Sequence, residues 1–155
     1  MKSRKLTILS LTLLATLVLT IFVIEVFSPP KVKAKARFYP RTHTLDTPPA
    51  TWNADLSFSP KRSADEIDAS TIRLEGVAVE LAAEPYDHLQ KKSRVVVPFH
   101  GYDVLWIALL KAGHMAPGSA NLIFLEVTGQ LKDGRPFSTG MSGCIVIFVP
   151  ELPPP

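Results

Sequence analysis

The chain has 155 residues, 46% of them hydrophobic and 20% charged, with 14 prolines, one cysteine, a formal net charge of +3 and a pI near 9.1. That length holds one ordinary domain and a short appendage, which excludes a multidomain enzyme. The basic pI would suggest nucleic acid, but residues 1–36 hold six Lys or Arg against Glu25 alone (+5), and residues 37–155 hold the other 11 against 13 Asp or Glu (−2). The folded part is therefore mildly acidic, and no nucleic-acid partner is expected. Cys144, alone, can form no intramolecular disulfide and no paired-cysteine zinc or redox motif.

Residues 1–5 form a basic tail. The run 6–27 that follows carries 16 apolar residues in 22, with no charge before Glu25. As a helix it is roughly 33 Å long, enough to cross a bilayer's hydrocarbon core. Its Ser and Thr hydroxyls can bond back to the helix, and Pro29 and Pro30 stop it. The length predicts a retained transmembrane anchor. Ala34-Lys35-Ala36 has the small-x-small form that a signal peptidase accepts, so a secreted form cleaved near Ala36 stands as the alternative. Lysines and arginines flank both ends of the run, and the short tail with its signal-like layout favours export of the C-terminal part.

Residues 28–50 are rich in Pro, Lys and Thr and read as a stalk leading into the first strand, with room for short strands near 36–39 and Leu45. The domain proper is expected over 51–150. Trp52, Ala54, Leu56 and Phe58 alternate with Asn53, Asp55, Ser57 and Ser59, the pattern of a strand with one face in a core. Ser63 with Glu66 three residues on predicts a single capped helical turn. Strands follow at 71–74 and 77–82 around Gly76, at 94–99 up to Pro98 and Gly101, and at 121–131 as one long strand. Lys132-Asp133-Gly134-Arg135 is a hairpin turn, 137–139 returns, and the apolar 144–149 reads as a buried central strand. Between them, 102–112 has helical spacing, with Leu105, Trp106, Leu109 and Leu110 on one face and Gly113 as the stop. Glu151 and the prolines to 155 form a short tail. The segments Ile67–Gly76 (IDASTIRLEG) and Val127–Phe137 (VTGQLKDGRPF) give the chain a similarity to a small immunoglobulin-like module of archaeal and bacterial secreted and cell-surface proteins. The resemblance covers roughly residues 40–149. It implies a mainly β fold, an immunoglobulin-like antiparallel β-sandwich of about seven strands with one short helix, here preceded by one transmembrane helix. Where that module carries an Asp-rich calcium loop, this chain has Glu84, Asp87, Lys91 and Lys92 and no Gly, so the calcium site is expected to be lost.

Four histidines, His43, His88, His100 and His114, show no metal-ligand spacing and read as surface or loop residues. Cys144 with His100 or His114 and Asp103 supplies the residue types of a nucleophilic triad, a hydrolase alternative. Yet Cys144 opens an apolar strand, where a free cysteine ordinarily serves as a small hydrophobe. Glu75 and Glu80 read as solvated carboxylates, and Trp52 and Trp106 as core rather than as a carbohydrate platform. Lys31, Lys33 and Lys35 suit anionic headgroups beside the anchor. No catalytic, cofactor or metal residue is nominated. The expectation is a membrane-anchored extracytoplasmic module, not an enzyme, with a binding or structural role at the cell surface. Its partners are the bilayer, through 6–27, and a surface protein or glycan met by loops such as 83–93 and 113–119.

Overall fold

The computed structural model of the chain describes residues 29–88 and 94–151, and the part from Lys31 onward is one compact unit. The basic tail, the apolar run 6–27, the loop positions 89–93 and the last four residues lie outside the described residues. No helix among the described residues is long and apolar enough to cross a membrane.

The described part is mainly β with one α-helix. The first half comprises β1 (Val32–Tyr39), β2 (Thr42–Thr44), β3 (Thr51–Ser59), β4 (Ile67–Leu74), β5 (Val77–Ala78) and β6 (Tyr86–Asp87). The second comprises β7 (Arg94–His100), α1 (Gly101–Ala112), β8 (Ala120–Leu125), β9 (Val127–Leu131), β10 (Pro136–Ser138) and β11 (Gly143–Phe148). They build an eight-stranded sheet in the order β5-β4-β9-β10-β1-β3-β7-β6 and a three-stranded sheet in the order β2-β11-β8. The pairing is antiparallel except for β1 with β10 and β11 with β2, which are parallel. One core joins both sheets: Trp52, Leu56 and Phe99 from the large one meet Ile123, Leu125, Ile145 and Ile147 from the small one. Trp52 is fully buried and its indole N–H donates to the Pro40 carbonyl. Burying such a ring removes on the order of 200 Å² of apolar surface, about 5 kcal/mol at about 25 cal/mol per Å².

The largest departure from the sequence reading is the stalk. Residues 32–39 form an interior strand of the large sheet, with Val32, Ala34, Ala36 and Phe38 buried and Lys33, Lys35, Arg37 and Tyr39 exposed. Two of the four inward residues are alanines, so the alternation carries little hydrophobic signal. Small side chains are required because β11 approaches closely: a Cβ on Gly143 would lie 2.5 Å from the Phe38 ring and 3.1 Å from the Ala36 Cβ. The small-x-small pattern at 34–36 thus belongs to the core face of β1.

The expected long strand 121–131 is two strands in different sheets, with the chain crossing over at Glu126. Ile123, Leu125 and Val127 keep the same inward period through the crossing, so alternation alone does not reveal it. The run of valines does not end at Pro98. That residue stays within β7, and its carbonyl accepts the Ala82 N–H at 2.9 Å. The helix forms where expected and is closed by Gly113 at φ +71°. Its buried face, however, is Val104, Leu105, Ile107 and Ala108, while Trp106 and Leu110 are each 63% exposed. Val104 and Leu105 recur at Ile107 and Ala108, three residues on, and the equally apolar Tyr102, Trp106 and Leu110 form the opposite row. The helix is apolar on both sides, and only docking against the strands decides which side is covered.

Local turn chemistry matches its sequence signals. In the 3₁₀ turn Ala64–Glu66 the Ser63 N–H donates to Glu66 Oε1 at 3.1 Å, and Arg62 pairs with the same carboxylate at 3.0 Å. The Ser63 backbone hydrogen bond, with further help from Arg62, holds the Glu66 carboxyl below the usual glutamate range against the opposing effect of burial. Gly134 takes φ +84° in the turn joining β9 to β10, where Arg135 pairs with Asp133.

Candidate functional site

Every second residue of β3 must face away from the core, and Asp55 sits in the middle of that outward set. It is nevertheless only 7% exposed. Its register partners are Arg37 on β1 and Val96 on β7, and Ser57 faces Arg94 one step along. Arg94 is therefore the diagonal neighbour of Asp55, within reach of a long side chain. Its Nη1 donates to Asp55 Oδ2 at 2.8 Å, with Arg94 28% exposed. A buried carboxylate requires such a partner. Asp55 Oδ1 is also buried and has no hydrogen-bond partner among the described residues.

Two concavities meet at this carboxylate. One, about 330 Å³, is lined by Tyr39, Asn53, Asp55, Tyr86, His88, Arg94 and Val96. The other, about 360 Å³, is lined by Lys35, Ala36, Arg37, Asp55, Ser57, Arg94 and Ser142. Tyr39 and Tyr86 are each about half exposed, at 50% and 47%. They stand on strands three places apart and two residues out of register, which sets their Cα atoms roughly 16 Å apart. Among the described residues neither Lys35 nor Arg37 lies within ion-pair distance of a carboxylate. The second concavity opens where β1 loses its neighbour: β10 pairs with it only at Val32 and Lys33, and beyond that the Ala36 N–H is taken by the Ser142 hydroxyl at 2.9 Å. A third concavity, about 430 Å³, continues along this seam past Arg37 and Arg41 to Cys144.

The outer face of the large sheet thus carries a buried carboxylate, Asp55, and two half-exposed tyrosines. It adds the Ser57 hydroxyl and two cations, Lys35 and Arg37, with no carboxylate partner among the described residues. Asp55, Arg94, Tyr39 and Tyr86 were not singled out from the sequence. The available signal was an aspartate at the centre of a nine-residue strand, a place where that residue is depleted.

Of the residues the sequence points to, Lys35 and His88 border this face and the others fall elsewhere. His43 packs edge-on against Trp52, ring centroids 6.0 Å apart, and accepts the Thr44 N–H at 3.0 Å. His88 lines the rim of the first concavity, and His100 and His114 are exposed. Cys144 is half-buried on β11 opposite Phe124, and the cavity beside it includes none of His100, His114 or Asp103. The Glu75 carboxylate is engaged by Lys111 at 2.6 Å and by the Glu126 N–H at 2.5 Å, and Glu80 is exposed. Trp52 is core, whereas Trp106, expected there too, is on the surface. In the segment 84–88 Asp87 caps the Ala64 N–H at 2.9 Å. A concavity there carries Asp65, Asp68, Glu84 and Asp87, but no group of three or more His, Cys, Asp or Glu converges to hold a metal ion among the described residues. The chain matches no protein-family model, and no curated protein or solved structure is significantly similar to it.

Proposed function

We propose that this chain is a single-pass membrane protein whose exported β domain, an immunoglobulin-like sandwich in type, binds a ligand at the cell surface without transforming it. The apolar run 6–27 is the anchor, and four residues, 28–31, separate it from β1. A peptidase cut after Ala36 would divide β1 and strip Val32, Ala34 and Ala36 from the core. The retained anchor is therefore the reading that keeps the domain whole. The binding role rests on one observation: Asp55, held by Arg94 and 7% exposed, lines two concavities on the outer face of the large sheet. A carboxylate fixed by a guanidinium suits the recognition of donors on a ligand. The binding surface on this reading is a sheet face, to which the described part of the 83–93 loop contributes Tyr86 and His88.

Topology is tested by protease digestion of intact cells and spheroplasts expressing the full chain. Digestion of the domain from outside is the expected result, and full protection refutes export. Intact mass discriminates the anchored from the secreted form, since an N-terminus at Arg37 would establish cleavage.

A further inference from the structure

We infer that the open edge of β8 pairs with the β8 edge of a second copy of this chain, antiparallel about a two-fold axis at Leu122. The inference is independent of the Asp55 face and concerns how copies meet. Among the described residues the two sheets end in four edge strands: β5 and β6 of two residues each, β2 of three and β8 of six. Short edges offer little to another strand, whereas a long one without charge, proline or bulge is a template for pairing. β8, Ala-Asn-Leu-Ile-Phe-Leu, has none of the three. Its neighbour β11 fixes which backbone groups of β8 are free. The Val146 N–H donates to the Arg41 carbonyl and the Phe148 carbonyl accepts the Leu45 N–H, so these residues of β11 turn toward β2. The alternate ones turn toward β8, as Val149 does in donating to the Ser119 carbonyl. Ala120, Leu122 and Phe124 stand opposite Phe148, Val146 and Cys144, so their own N–H and C=O groups point away from the sheet. No strand or turn takes up these groups among the described residues. The three side chains lie exposed on the outer face, Leu122 at 53% and Phe124 at 43%.

Free donors and acceptors on alternate residues are matched by another extended strand, and β8 matches its own. Pairing Leu122 with its copy sets Ala120 opposite Phe124 on both sides, a small side chain beside a large one, and each pair exchanges two main-chain hydrogen bonds. The first charge beyond the strand, Glu126, falls opposite Gly118, so no like charges meet. The contact is isologous and closes at two copies, whereas pairing β8 with β2 would leave an edge open at each end. So narrow a strip lies at the small end of interfaces, which makes the pair weak, with a dissociation constant on the order of 10 μM.

Sedimentation velocity of the full chain in detergent, from about 1 to about 100 μM, should show a monomer passing into a dimer. Leu122→Lys sets two like charges opposite each other and should weaken the dimer at least about tenfold. Thr42→Lys, at an exposed position on the far edge of the same sheet, should leave it unchanged. Because a lysine could disturb β8 itself, cross-linking gives a second readout in a Cys144→Ser background. Leu122→Cys brings two thiols onto Cα atoms about 5.5 Å apart, within disulfide range, and copper-catalysed air oxidation should join them. Thr42→Cys lies about five strand spacings from its copy, roughly 24 Å, and should not cross-link. A chain that stays monomeric throughout overturns the inference, as does a dimer that Leu122→Lys leaves intact or equal cross-linking through Thr42→Cys. Growth into larger species with concentration also overturns it, since a closed pair cannot extend.

Discussion

Gly143→Ala would place a methyl group where two core residues already stand. The new Cβ would lie 2.5 and 2.9 Å from two carbons of the Phe38 ring and 3.1 Å from the Ala36 Cβ. Ordinary carbon contacts are near 3.5–4.0 Å, so the ring must withdraw by roughly 1 Å. Phe38 and Ala36 are each 2% exposed, and there is no solvent side into which to withdraw. The glycine itself is extended, at φ −86° and ψ 135°, so the backbone accepts alanine without strain. Overpacking of this kind costs about 1–3 kcal/mol. The lower chain entropy of alanine in the unfolded state returns about 0.4–1 kcal/mol. A net loss of about 1–2 kcal/mol should lower the melting temperature by roughly 4–8 °C for a domain of this size. Thermal denaturation of the full chain in detergent, followed by far-UV circular dichroism, reads that shift. Combining it with Phe38→Leu, which shortens the obstructing ring, should make the pair less harmful than the sum of the two single changes. An unchanged or raised melting temperature for Gly143→Ala would refute the reasoning, since it would mean that β1 does not pack across β11.

Three further outcomes follow from the same geometry. Gly101→Ala should be more damaging than Gly143→Ala, by more than about 3 kcal/mol, because its Cβ would fall 1.6 Å from the Pro49 carbonyl oxygen, a main-chain atom with little freedom to retreat; a stable, well-folded variant would contradict this. The two tryptophans should separate cleanly in acrylamide quenching: Trp106→Phe should leave a poorly quenched emission from Trp52, and Trp52 replaced instead should leave a readily quenched one. The Glu66 carboxyl titrates lower in the folded state than in the unfolded one, so its contribution is complete above the ordinary glutamate range and is lost as pH falls from that range through the lower folded-state value. Glu66→Gln should therefore be less stable than the parent at pH 7, by about 1 kcal/mol or less for a lost cap. The gap should narrow as pH falls below the ordinary glutamate range, and a gap that widens in acid would count against the capping account.

Much of the β domain was legible wherever a side chain's chemistry acts locally. The alternation over 52–59, the Ser63–Glu66 cap, the Asp133-Gly134 turn and the Gly113 stop each depend on residues a few positions apart, and each stands in the structure as the sequence implied. What the sequence left open depends on pairing between distant segments. Val32–Tyr39 becomes an interior strand because its small inward residues fit beneath Gly143, more than a hundred residues away. The strands β8 and β9 separate because two sheets diverge at Glu126 without disturbing the inward period. The helix buries Val104 and Ala108 rather than Trp106 because both of its faces are apolar and only the docking partner distinguishes them. The candidate site belongs to this second class. Asp55 reads as one polar residue in an alternating run, and only the registry of β1, β3 and β7 brings Arg94 to one oxygen and leaves the other buried without a partner among the described residues. The residues determined which face each strand turns to water. Long-range strand pairing, which no local pattern encodes, determined what stands beside what on that face.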